Sequence, residues 1–382
     1  MEDPYSVASL HPGGREFRLL ELWPSAESES IKCVLRSYSI DDDYPAYVAL
    51  SYTWGGKERL DDIDLNGCRL PVGINLWQFL HHMRLRNEYI TLWIDAICIN
   101  KLNVMERNHQ VQMMRQIYSN AQSVSVWLGE ADDSCDSDVA MDYLAARKPL
   151  ANNDLKPGRF WNKRQAKGVL ALCKRNYWRR IWVVQEIMLA REATIYCGSK
   201  HVSWQKFEEL IRNFMAIQDR RRDSDTLCVS SIVNSTAFVI LDQKSFWSGK
   251  RTRLMSLLKL YRNHQATDIR DKVYALHGLA EDSLDMVVNY NKSTKNLFVE
   301  VLYHTCASLD LSHRRKWAAA NDTIHFEILL AEIVQFGILM AEMLRVHCPE
   351  DEIKRHISIA SRRAHETLSM RSSSSMLDLT PI

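Results

Sequence analysis

Three short, almost wholly apolar segments, spaced by stretches of helical periodicity, constrain this chain more than anything else in it. They are Tyr47–Trp54 (YVALSYTW), Thr91–Cys98 (TLWIDAIC) and Ser123–Leu128 (SVSVWL). None alternates cleanly between apolar and polar, so each reads as a strand covered on both faces. Ile74–Leu85 reads as a helix following the turn signal Asn66–Gly67. Val104–Tyr118 reads as a second, with Asn103 as N-cap and Glu106 three residues on completing a capping box. Val104, Val111, Met114 and Tyr118 would form its apolar face. Strands alternating with helices predict an α/β fold built on a parallel sheet.

Beyond Asp132 the chain is polar to about Arg159, with a helix expected at Asp136–Ala146 and a loop after it. Trp161–Cys173 and Trp178–Ala190 read as helices and Ala193–Cys197 as a short strand. Ser203–Trp204 opens a helix to about Ile217. The mixed-charge run Asp219–Asp225 reads as a solvated loop. Leu254–Tyr261 and Lys272–Leu279 belong to a mostly helical second part, and Arg362–Ser375 reads as a disordered tail. The expected divisions are a lead-in at 1–46, an α/β domain at 47–218, a helical region at 219–361 and a tail at 362–382.

Composition excludes several classes. The formal net charge is +2, too near balance to recruit nucleic acid. Nine cysteines without CxxC or CxxH spacing argue against a disulfide framework or zinc site and for a reduced, cytoplasmic protein. The start, MEDPYSVASLHPGG, lacks the basic and apolar regions of a signal peptide. The most apolar stretch, Ile328–Leu344, is interrupted by Glu332, Gln335 and Glu342, which argues against a membrane span.

Ligands of parallel α/β sheets bind outside the carboxyl ends of the strands, so the polar residues there are the candidates. The first strand ends in Ser51-Tyr52-Thr53-Trp54-Gly55-Gly56, an ordinary turn or a place where backbone meets ligand. Asp95 lies among apolar neighbours in the second, as a structural acceptor or as a pocket carboxylate, with Asn100 just beyond. Glu186 stands in a segment apolar on every other face except at Gln185. It is either paired with an arginine (Arg179, Arg180 or Arg107) or an active-site carboxylate. His81, His82 and His109 read as surface or capping residues, no metal ligand set is evident, and no serine or cysteine has nucleophile context.

YVALSYTWGG, LWIDAICINKLNVMERNHQVQMMRQIYSNAQSVSVWLGE and YWRRIWVVQEIMLA, in that order, resemble the fungal heterokaryon incompatibility (HET) domain. TDIRDKVYALHGLA at Thr267–Ala280 resembles the region that often follows it. The resemblance implies a role in fungal nonself recognition ending in programmed cell death, through self-association or another incompatibility protein. It also implies a TIR-like or flavodoxin-like core, and by that analogy NAD as a substrate for cleavage. Motif positions carried over are Ser51, Tyr52, Trp54 and Gly55; Trp93, Ile94, Asp95, Ile97, Cys98, Asn100, Glu106, Arg107 and Gln110; and Arg180, Trp182, Gln185 and Glu186. Glu186 and Asp95 are the implied catalytic carboxylates, and Ser51, Tyr52, Trp54, Gly55, Asn100, Arg107, Arg180, Trp182 and Gln185 the implied ligand contacts. Lys101 and His277 depart from the family pattern.

Overall fold

The computed structural model describes residues 4–27, 29–55, 60–86, 88–146, 162–218, 226–249, 251–283, 286–317 and 323–360. Gly56, the loop at 147–161, the charged run at 219–225 and the tail lie outside these. The chain divides into two compact units, Met1–Lys250 and Arg251–Ile382.

The first unit is built on one mixed sheet. In chain order its strands are β1 (Glu16–Leu22), β2 (Lys32–Ser39), β3 (Val48–Tyr52), β4 (Leu60–Leu65), β5 (Cys68–Gly73), β6 (Ile90–Trp93), β7 (Ser123–Trp127), β8 (Ala193–Cys197) and β9 (Lys200–Ser203). They lie in the order β5-β4-β2-β1-β6-β3-β7-β8-β9. The centre, β6-β3-β7-β8, is parallel as the sequence predicts. Antiparallel pairs flank it on both sides, so the sheet as a whole is mixed. Residues 16–39, read above as part of a lead-in, supply β1 and β2, with Leu20 opposite Leu92 of β6. Phe17, Leu19, Leu20 and Leu22 are all buried.

The helices of this unit are α1 (Ile74–Arg84), α2 (Asp95–Cys98), α3 (Val104–Asn120), α4 (Ser137–Ala146), α5 (Lys163–Cys173), α6 (Trp182–Leu189), α7 (Trp204–Gln218), α8 (Thr226–Val233) and α9 (Thr236–Phe246). Asn103 caps α3 as expected, accepting from the Met105 and Glu106 amides. The reciprocal half of the box is not made. Glu106 instead accepts from the Asn100 amide at 2.6 Å and forms a two-toothed pair with buried Arg18 at 2.6 and 3.1 Å. A buried guanidinium competes for a carboxylate better than a neutral amide can. The buried face of α3 is Gln110, Met113, Met114, Ile117 and Tyr118, displaced from the predicted stripe. Trp178–Ala190 is not one helix. Asn176–Arg179 is a 3-10 turn, Arg180 turns extended at ψ 135°, and α6 follows.

The parallel strands, taken in chain order, run second-first-third-fourth across the sheet. The connections leaving neighbouring β3 and β7 therefore diverge, which is the switch point at which doubly wound sheets hold ligands.

The second unit, described by itself, is helical: α10 (Leu254–Leu260), α11 (Asp271–His277), α12 (Thr294–Trp317), α13 (Thr323–Met343) and α14, spanning 350–360. Among the described residues no helix is long and apolar enough to cross a membrane.

Candidate functional site

The candidate site starts from the last residues of β3. Ala49, Leu50, Ser51 and Tyr52 are all buried, with β7 paired along the whole of β3 and β6 paired at Val48 and Ala49. A buried serine hydroxyl needs partners, and Ser51 has two. Its Oγ donates to Glu186 Oε2 from α6 and lies 2.6 Å from the Tyr177 hydroxyl. The serine has one proton, so with Glu186 ionised Tyr177 must donate to Ser51, and the chain runs Tyr177 to Ser51 to Glu186. Tyr118 of α3 donates to the Leu50 carbonyl at 3.1 Å.

Glu186 is only 4% exposed. Burial pushes its carboxyl up to about 7, against the opposing pull of Arg180 and the Ser51 hydrogen bond, and the negative charge of Asp95 adds to the rise. Arg180 does not clamp it; the guanidinium donates to the Tyr52 carbonyl and acts on Glu186 through space. Burial works against the charge of Arg180, but Glu186 and Asp95 outweigh it and its pKa is raised. Arg179 is exposed in the 3-10 turn that precedes α6, so it does not share a helix with Glu186. Burial likewise holds the Tyr52, Tyr118 and Tyr177 hydroxyls protonated, well above the usual tyrosine range.

The second carboxylate sits at the rim. The strand expected at Thr91–Cys98 stops at Trp93, and Asp95 opens the short helix α2 instead. The Ile97 and Cys98 amides turn back onto the Ile94 carbonyl, at 3.0 and 2.7 Å. Asp95 accepts from the Trp54 indole at 3.1 Å and pairs with Lys101 Nζ at 2.9 Å. The same Nζ stands 3.4 Å from the centre of the Trp54 ring. Trp54 is 46% exposed, a ring held by a carboxylate and an ammonium at the mouth of the sheet. Gly55 follows at φ +74°, a left-handed conformation that glycine adopts without strain. On the β7 side, Asn75 of α1 donates to the Thr53 carbonyl at 2.6 Å and accepts from the Trp127 indole at 2.8 Å.

Ser51, Tyr52, Trp54, Asp95, Arg180 and Glu186 are thus linked around the end of β3. Asn100 faces its own turn, accepting from the Leu102 amide at 3.2 Å. Arg107 and Trp182 are half-buried on α3 and α6, and Gln185 is buried on α6. Tyr177, Lys101 and Asn75 were not among the sequence candidates. Lys101 offered one signal, a cation six residues after Asp95 across a turn. The distant contacts of Tyr177 and Asn75 offered none. The arrangement holds a protonatable carboxyl within a hydroxyl chain and presents a charged aromatic rim, and none of these groups has metal-ligand geometry.

Residues 47–186 match the family described as heterokaryon incompatibility protein (HET). The chain is also similar to heterokaryon incompatibility protein 6, OR allele, of Neurospora crassa, at 27% identity over 365 residues. That match covers 80% of this chain and 53% of the relative, so the chain spans about half the length of the curated protein it resembles. No solved structure matches it.

Proposed function

This chain carries the fungal heterokaryon incompatibility domain over residues 47–186, and from that premise we propose that it is a nonself-recognition effector that triggers programmed cell death. It acts in the cytoplasm, through self-association of a TIR-like domain or contact with another incompatibility protein, without chemistry of its own. The observation that carries the choice of signalling over catalysis is the enclosure of Glu186: the residue is 4% exposed and its carboxylate is engaged by Ser51. A group so placed ties α6 to β3 across the sheet, and with Ser51 and Tyr177 it fixes the geometry of the strand end. The second-first-third-fourth strand order favours a flavodoxin-like or TIR-like core.

A second reading has its own support. A carboxyl titrating near 7 beside an exposed aromatic rim suits cleavage of NAD, with Glu186 or Asp95 stabilising positive charge on the ribose as nicotinamide leaves. Trp54 would stack on the leaving ring. Purified protein incubated with NAD while its mass is followed by light scattering separates the two. The signalling reading expects concentration-dependent association and intact NAD. NAD loss that disappears in Glu186→Gln would replace it with the enzymatic one.

A further inference from the structure

In the second unit, Cys348, Glu352 and His356 follow one another at four-residue steps, the latter two on α14. Four-residue spacing stacks side chains on one helical face. One donor atom from each residue, the thiol sulfur, a carboxylate oxygen and an imidazole nitrogen, all lie within 4.8 Å of one another. Among the described residues no other group of three His, Cys, Asp or Glu side chains meets so closely. His356 Nε2 is buried with no hydrogen-bond partner, and Glu352 Oε1 stands 3.6 Å away, beyond hydrogen-bond reach. That contact is a long imidazole–carboxylate pair, which a metal held between the two groups would replace with direct bonds. Among the described residues, the cation paired with Glu352 from another helix is Lys295, at 3.2 Å on a half-exposed side chain that can swing into solvent.

We propose that Cys348, Glu352 and His356 form a binding site for a divalent metal of the zinc type, with a water as fourth ligand. The donor set is sulfur, nitrogen and oxygen, which zinc accepts together at roughly 2.0–2.3 Å in tetrahedral geometry. Such a centre holds its donors roughly 3.3–3.8 Å apart, so side-chain rotation of about 1 Å closes the site. On binding, the Cys348 thiol gives its proton to solvent, a metal–sulfur bond replaces a metal–water bond, and no electron is transferred. Lys295 leaves Glu352 as the metal arrives. The metal displaces the thiol proton, as it does for any cysteine ligand.

The test uses the full chain, stripped with a chelator and titrated with Co²⁺, whose bond to a thiolate gives a charge-transfer absorption. One equivalent should bind with that absorption and be displaced by Zn²⁺. Cys348→Ser should abolish the band, and His356→Gln should weaken binding at least about tenfold, both with melting curves in chelator like the wild type. Lys295→Ala, which keeps all three ligands, should tighten binding severalfold. Failure to bind one equivalent, a band surviving Cys348→Ser, an affinity indifferent to His356→Gln, or no gain from Lys295→Ala would each overturn the assignment.

Discussion

At the residue scale, two buried charges make opposite demands. Glu186 is neutral more readily in the folded protein than in the unfolded chain, because burial raises its pKa from 4.5 to about 7. Between those values the folded state holds a proton that the unfolded state has released, so stability falls as pH rises from about 4.5 to 7. The loss is about 3 kcal/mol at one pKa unit per 1.36 kcal/mol. Glu186→Gln removes it while still accepting from Ser51. Urea midpoints should therefore shift in favour of the variant by up to about 3 kcal/mol between pH 5 and pH 8; a difference constant with pH would mean the carboxyl is not desolvated. Arg18 is the converse case. It is 1% exposed and bonds the Cys98 carbonyl as well as Glu106, holding the turn between α2 and α3 against β1. Arg18→Ala strands the Glu106 carboxylate, and a cost of about 3–5 kcal/mol is expected by denaturant unfolding. Neither pairing is visible along the chain: 88 residues separate Arg18 from Glu106 and 135 separate Ser51 from Glu186. What was legible was the oddity of a glutamate in an apolar helix, and that its environment is the unusual thing about it.

At the scale of elements, α4 and α5 approach closely at Gly168. A Cβ there would meet the Asp136 carbonyl oxygen at 2.2 Å and Ala140 Cβ at 2.9 Å. Backbone cannot yield as a side-chain tip does, so Gly168→Ala should destabilise by about 1–3 kcal/mol, read as a lowered melting midpoint. An unchanged midpoint would show the two helices free to part. Asn103→Ala, removing both cap bonds of α3, should cost about 1 kcal/mol. The same physics explains which elements could be read in advance. β3, β7 and β8 are short apolar runs covered on both sides, and α3 and α7 begin at the cap residues Asn103 and Ser203; the Asn66–Gly67 turn joins β4 to β5, and α1 follows β5 without a side-chain cap. β6 overran because ITLWIDAIC is almost uniformly apolar, and nothing in it marks the point where Ile94 gives way to helix. β2 (KCVLRSYS) and β4 (LDDIDL) carry charged residues on an open face and so lacked the buried-strand signature. The Cys348, Glu352 and His356 cluster escaped notice because a carboxylate stands between cysteine and histidine, so no paired cysteine or histidine spacing appears.

At the scale of the molecule, the rim at the end of β3 and three of the four central parallel strands, β3, β6 and β7, lie within the matched family span. Residues from three separate blocks of sequence meet there: Ser51 and Trp54, Asp95, and Arg180 with Glu186. The sequence singled them out by strand-end position and by charge in apolar surroundings, while the flanking β1-β2 and β4-β5 pairs, with weaker patterning, were not legible. Met1–Lys250 contains the whole sheet, so that fragment alone should unfold in one cooperative thermal transition; a featureless melt would mean the sheet depends on the remainder. The most direct measurement of the central claim is inducible expression in a fungus, wild type against Glu186→Gln, with viability and intracellular NAD followed together. Signalling without chemistry predicts that both proteins kill and that NAD is steady until cells die. A fall in NAD that precedes death, with both effects lost in Glu186→Gln, would contradict it.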